Sequence, residues 1–119
     1  MVFFSIITPI HNRSYFIDKI YQSLVNQTYN NFEWIIIDDG SSDNLKEKID
    51  LWDENFVKYY RISNSGKHIA VNYGIDLAKG DYSIVLDSDD IPKQNAFEIF
   101  NRNILDSMNQ ISGIGCLIE

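Results

Sequence analysis

Phe32-Glu33-Trp34-Ile35-Ile36-Ile37-Asp38 runs straight into Asp39-Gly40-Ser41-Ser42-Asp43, and the junction between the two decides the fold. Trp34 to Ile37 are consecutive apolar residues, so a strand here is apolar on both faces near its end. An antiparallel sheet with one wet face would alternate apolar and polar residues. Burial of both faces belongs instead to a parallel sheet sandwiched between helices. Asp39–Asp43 is then a loop of turn-forming residues, with Ser42 the expected N-cap of the next helix.

The same grammar repeats on both sides of this junction. Before it, Phe3–Thr8 is an apolar run expected to form a buried strand that Pro9 stops. Asn12–Ser14 is a loop, and Phe16, Ile17, Ile20, Tyr21, Leu24 and Val25 recur at helical spacing through Gln27. After the junction, Leu45, Ile49 and Trp52 mark one face of a polar helix that ends near Asp53. Phe56–Ile62 is a more polar strand, expected near a sheet edge, and Ser63–His68 is a loop containing Gly66. Ala70, Val71, Gly74, Ile75 and Ala78 form the narrow apolar face of a third helix, with Gly80 expected as its left-handed terminal residue. Tyr82–Leu86 is a fourth strand and Asp87–Pro92 an acidic loop. Phe97, Phe100, Ile104 and Met108 face inward from a fourth helix, and Gly113–Ile118 is expected to begin a fifth strand.

Strands alternating with helices define an α/β domain with a largely parallel sheet. Right-handed crossovers in a Rossmann-like, doubly wound plan favour the strand order 3-2-1-4. Ligands then sit beyond the carboxyl ends of the strands, near the switch point between strands one and four. Three polar segments are delivered to that edge: Thr8-Pro9-Ile10-His11-Asn12-Arg13, Asp38-Asp39-Gly40 and Asp87-Ser88-Asp89-Asp90. Each alone has a plain structural reading. Asp38–Ser42 makes a turn, Asp87–Asp90 decorates a helix dipole, and His11, Lys67 and His68 are solvated surface residues. Their convergence is what points to a ligand, because clustered carboxylates repel one another unless a cation neutralises them.

Taken in order, several stretches resemble the nucleotide-binding half of family-2 glycosyltransferases, which have the GT-A fold. They are Ser5–Arg13, Ser23–Tyr29, Ile35–Asp43, Asn64–Gly66 to Asn72–Gly74, and Ala78–Tyr82 leading into Leu86–Asp90. The series covers nearly the whole chain. The resemblance implies transfer of a sugar, with inversion, from a nucleoside-diphosphate sugar, expected to be a UDP-sugar, to a saccharide or lipid-linked acceptor. It implies that Thr8, Pro9, His11, Asn12 and Arg13 line the nucleoside pocket and that Asp39 hydrogen-bonds the base. It places Gly66, Lys67, Asp87 and Ser88 in the same nucleotide-sugar site. Asp87-Ser88-Asp89 matches the DxD motif, with Asp89 the expected ligand of Mn²⁺ or Mg²⁺ and Asp87 touching ribose or metal. Two positions depart from the pattern. His11 stands where the family often has an aromatic residue, and Val71 where it often has Arg, leaving Lys67 or His68 to face the pyrophosphate. The family's general base follows the fifth strand, so residues 1–119 are expected to be a donor-binding half whose base lies beyond Glu119.

Two other readings compete. Val85–Ile91 loosely fits a haloacid-dehalogenase-type phosphatase motif, with Asp87 as nucleophile and Asp89 as acid/base. A non-catalytic nucleotide-binding module on the same fold is the other.

The chain has 119 residues, with 10 Lys+Arg against 17 Asp+Glu, a net charge of −7. That length suits one domain. The acidic balance argues against nucleic acid as a partner. The longest apolar runs, Met1–Phe4 and Trp34–Ile37, are too short to span a membrane. Met1–Ile10 lacks the basic region and cleavage site of a signal peptide. Cys116, the single cysteine, fits a reducing compartment, so a cytoplasmic location is expected, with a longer parent peripheral at the inner membrane face. An open sheet edge also makes a homo-oligomer an expectation.

Overall fold

The structure, a computed structural model, describes residues 1–107. Met108 and the expected strand at Gly113–Ile118 lie outside the described residues. Eight elements alternate: β1 (Phe4–Ile10), α1 (Ser14–Val25), β2 (Phe32–Asp39), α2 (Leu45–Asp50), β3 (Val57–Ile62), α3 (Lys67–Leu77), β4 (Tyr82–Val85) and α4 (Ala96–Asp106). All strand pairs are parallel, and the order is β3-β2-β1-β4, as the alternation predicts. No helix among the described residues is long and apolar enough to cross a membrane.

Side chains alternate across a strand, so β1 and β2 feed two separate cores. Phe4, Ile6, Ile10, Trp34 and Ile36 pack with Ile17, Ile20 and Leu24 of α1, Leu45 and Ile49 of α2, and Phe97 and Ile104 of α4. Ile7, Ile35 and Ile37 point the other way and meet Ala70 of α3. Crossover handedness explains this division. Steps from β1 to β2 to β3 move one way along the sheet and put α1 and α2 on one face. The return from β3 to β4 reverses direction and puts α3 on the other.

Several local expectations are corrected. Pro9 does not stop β1, which continues to Ile10. The Ile7 carbonyl accepts the Leu86 N–H, so Ile7 and, two residues on, Pro9 turn their backbone polar groups toward β4. The β1–β4 ladder ends at Ile7 and Val85, so the missing Pro9 N–H falls where no partner strand continues. Ser42 does not cap α2; Asn44 holds that position without a capping hydrogen bond, its Oδ1 accepting from Ser14 Oγ instead, and the helix ends at Asp50. Trp52 lies beyond it, stacked on Tyr21 with ring centroids 4.0 Å apart. Val25 and Ile75 face outward at 44% and 46% exposure, which leaves Ala70 and Gly74 as the buried face of α3.

Gly80 is corrected in a more informative way. α3 ends with Ala78 in an extended conformation, and Gly80 is not left-handed. Its role is close approach to β1. A Cβ there would lie 2.6 Å from Ser5 Oγ and 2.8 Å from the Phe3 carbonyl oxygen. The Gly80 N–H donates to Ser5 Oγ, which itself donates to the buried carboxylate of Glu33; the Lys79 N–H donates to the same Glu33 oxygen. A buried polar network therefore fixes the entry to β4, and it works only if residue 80 has no side chain. Gly80→Ala is expected to lower unfolding free energy by about 1–3 kcal/mol, the usual cost of overpacking. Urea unfolding with an unchanged slope is the check.

Candidate functional site

A cleft of about 480 Å³ opens at the carboxyl ends of β1, β2 and β4, beside the start of α3. Pro9, Ile10, His11 and Arg13 line it from β1 and its loop, Asp39 from β2, Lys67 from α3, and Asp87, Ser88 and Asp89 from the segment after β4. Three expected site residues do not line this cleft. Thr8 is buried behind it, its Oγ1 accepting the Trp34 indole N–H at 2.9 Å. Asn12 takes a left-handed conformation and clamps two loops: its N–H donates to Ser41 Oγ and its Oδ1 accepts the Ser42 N–H. Gly66 caps α3 and donates its N–H to Asp39. Of the two cations expected to stand in for the usual Arg, Lys67 lines the cleft and His68 does not.

The β2 turn is held from several directions. Gly40 has φ +73°, and a Cβ would lie 2.8 Å from the Asn64 backbone nitrogen. Glycine therefore lets the β3–α3 loop lie directly on the turn. That approach brings the Ser65 and Gly66 N–H groups to the two Asp39 carboxylate oxygens, at 2.7 and 2.9 Å. His11 Nδ1 lies 2.8 Å from the Asp39 carbonyl, which can only accept, so Nδ1 carries the proton. Its Nε2 faces the Asn12 amide at 3.3 Å. Asn64 Nδ2 is nearly equidistant from both ring nitrogens, 3.2 and 3.0 Å, which puts that amide over one face of the imidazole.

Asp38, which the sequence delivers to this edge without assigning it a role, holds the turn from inside. It is buried, accepts from the Tyr59 hydroxyl and the Ser41 N–H, and pairs with Arg61 at 3.0 Å. Arg61 Nη1 also donates to the Ser41 carbonyl at 2.7 Å. Burial pushes the Asp38 carboxyl up, but the donors from Tyr59 and Ser41 and the Arg61 charge outweigh it, and the net direction is below 3.8. Burial and the neighbouring carboxylate push the Tyr59 hydroxyl up to about 12. Tyr59 and Arg61 share a strand face, which the sequence shows, but only the β2–β3 register makes Arg61 the partner of Asp38.

The acidic segment after β4 makes a turn, with the Asp90 N–H donating to the Asp87 carbonyl. Asp87, Asp89 and Asp90 each offer an oxygen within 4.8 Å of the others. Asp87 Oδ1 is buried and receives no hydrogen bond, although Lys67 Nζ lies 2.8 Å from it. Three carboxylates converging in this way make an all-oxygen ligand set of the kind that fits a hard divalent cation.

The profile described as "Glycosyl transferase family 2" matches residues 5–113, and the chain belongs to that family. It is 37% identical over 103 residues to "Glycosyltransferase GlyG" of Streptococcus pneumoniae, covering 84% of this chain and 34% of that protein. Among solved structures it is similar to S. aureus TarS 1–349 in complex with UDP, at TM-score 0.83 and 23% identity, covering 95% of this chain and 37% of that one. It is also similar to the mannosyltransferase PcManGT of Pyrobaculum calidifontis in complex with GDP-Man and Mn²⁺, at TM-score 0.74 and 20% identity, covering 81% of this chain and 30% of that one. The two structural likenesses show the fold. The chain spans well under half the length of each of these three proteins. None of the comparisons supports the phosphatase alternative.

The Asp38 geometry fixes a pH dependence. A carboxyl held below its ordinary 3.8 adds stability above that pH and loses it as pH falls through the lower folded value. The stability difference between wild type and Asp38→Asn is therefore expected to be largest at neutral pH and to shrink below pH 3.8. Chemical unfolding across that range measures it; a gap that widens in acid contradicts the assignment.

Proposed function

We propose that residues 1–119 form the donor-binding part of a longer, metal-dependent, inverting glycosyltransferase that uses a nucleoside-diphosphate sugar, UDP-linked in the first instance. The observation that carries this reading is the meeting of Asp87, Ser88 and Asp89 with Asp39, His11, Arg13 and Lys67 on one cleft. Family membership supports the reaction class, and the share of each relative's length covered supports a longer parent. The UDP and GDP-Man in the similar structures support the donor class.

The roles follow from chemistry. The imidazole of His11 has one face under Asn64, and its other face receives the base. Asp39, already fixed by two backbone amides, accepts from the edge of the base through its remaining lone pairs. Arg13 and Lys67 supply positive charge to the diphosphate. Asp89 and Asp87 would hold Mn²⁺ or Mg²⁺, which when bound would supply charge to stabilise the diphosphate leaving group. The acceptor is a hydroxyl of a saccharide or a lipid-linked glycan. Inversion requires a general base on the sugar face opposite the leaving group, and that base is proposed to lie beyond Glu119. The parent enzyme works on the cytoplasmic side, peripheral to the membrane.

Calorimetric titration of UDP with Mn²⁺ and with chelator tests the reading. Metal is expected to tighten UDP binding, Asp89→Ala to abolish that gain, and the distant, exposed Asp53→Ala to preserve it. Equal UDP binding with and without metal removes the cation from the account.

A further inference from the structure

Lys67 opens α3, and its Nζ lies 2.8 Å from Asp87 Oδ1. The two form a close ion pair, poorly aligned for a hydrogen bond, on an oxygen that is itself buried. The Lys67 side chain is 62% exposed, so its ammonium sits at the end of a long, largely free stem. Asp87 belongs at the same time to the cluster with Asp89 and Asp90. A single ammonium against three carboxylates leaves the turn net negative. Arg13, the other cation on the cleft, pairs with no carboxylate among the described residues.

We infer that Lys67 is an exchangeable counter-ion: its ammonium and a divalent cation compete for Asp87, and a nucleoside diphosphate relieves that competition by drawing the ammonium onto its phosphates. This inference rests on the proposed reading of the cleft as a nucleotide-sugar site.

Two cations beside one carboxylate repel each other, so an ammonium already in place weakens a divalent ion arriving on the same residue. A diphosphate in the cleft offers anionic oxygens to an ammonium that lines the same space, and Lys67 can reach them because its side chain is long and mostly exposed. Nucleotide and metal then help each other beyond their direct contact. By linkage, each tightens the other by the same factor. A lysine that only bound phosphate would leave binding of the metal alone unchanged when removed. A lysine that only supported the fold would weaken it.

The test is a titration of Mn²⁺ alone into the 119-residue chain, read from the electron paramagnetic resonance of free Mn²⁺, for wild type, Lys67→Met and Lys67→Arg. Lys67→Met is expected to bind Mn²⁺ on the order of three- to tenfold more tightly than wild type, the scale of one unscreened neighbouring charge near a surface. Lys67→Arg, which keeps the charge, is expected to match wild type. In a second titration with UDP present, the factor by which UDP tightens Mn²⁺ is expected to fall in Lys67→Met by a similar amount. Circular dichroism confirms folding of each variant, and Lys67→Gln replaces Lys67→Met if the latter is unfolded. Mn²⁺ binding to the neutral variant that equals or falls below wild type overturns the exchange. If that result comes with wild-type Mn²⁺ binding that Asp89→Ala removes, the metal site stands and only the exchange fails. If wild type and Asp89→Ala are equally unable to bind Mn²⁺, the site reading and the exchange fall together.

Discussion

Everything at the cleft depends on the parallel pairing of β1 with a strand on each side. Residues of β1 from Phe4 to Ile10 are all buried, with β2 along one edge and β4 along the other. Parallel pairing forces all carboxyl ends to the same side of the sheet, and the reversal of direction between β2 and β4 parts the helices there. The cleft is the gap that results. It lies where the β1–β4 ladder stops at Ile7 and Val85, so the chain beyond each strand is free to carry loops rather than ladder bonds.

Loops released in this way still need to be fixed in place, and the β2 turn is where that happens. Gly40 admits the backbone of Asn64, and Asp39 then takes two amides from the same loop. From below, buried Asp38 gathers Tyr59, Arg61 and Ser41. From the side, Asn12 ties the β1 loop to Ser41 and Ser42. Adjacent aspartates thus have opposite duties. Asp38 faces the interior and holds the turn, and Asp39 faces the cleft. The alternation of a strand assigns one to each side of the sheet. A buried charge of this kind is tolerated because each of its oxygens is hydrogen-bonded and one is paired with a guanidinium.

How much of this was legible follows from range in sequence. The elements, the strand order and the edge where the polar segments meet could be read from FEWIIID and its neighbours, because both-faced apolar runs and turn residues are local signals. Partners distant in sequence were not legible. Pro9 continues β1 only because its missing donor faces the end of β4. Gly80 is small because of Ser5 and Phe3, 75 and 77 positions away, rather than because of its own φ. Thr8 is expected in the pocket by its place near the end of β1, but it is buried and its hydroxyl accepts the Trp34 indole N–H. The Asp38–Arg61 pair requires the β2–β3 register, and sequence reading had placed that edge strand without fixing its register. His11, Asp39 and Asp87–Asp89 could be named from the sequence, but the contacts that orient them could not.

The central claim is that the cleft between the ends of β1 and β4 receives a nucleoside diphosphate together with a divalent cation. Nuclear magnetic resonance of the isotope-labelled chain tests it residue by residue. UDP with Mg²⁺ is expected to shift the amides of His11–Arg13 and Asp39–Gly40, and trace Mn²⁺ to broaden those of Asp87–Asp90 before any others. Broadening that appears first on the exposed acidic stretch Asp50–Glu54, with the cleft amides unmoved, would contradict the account.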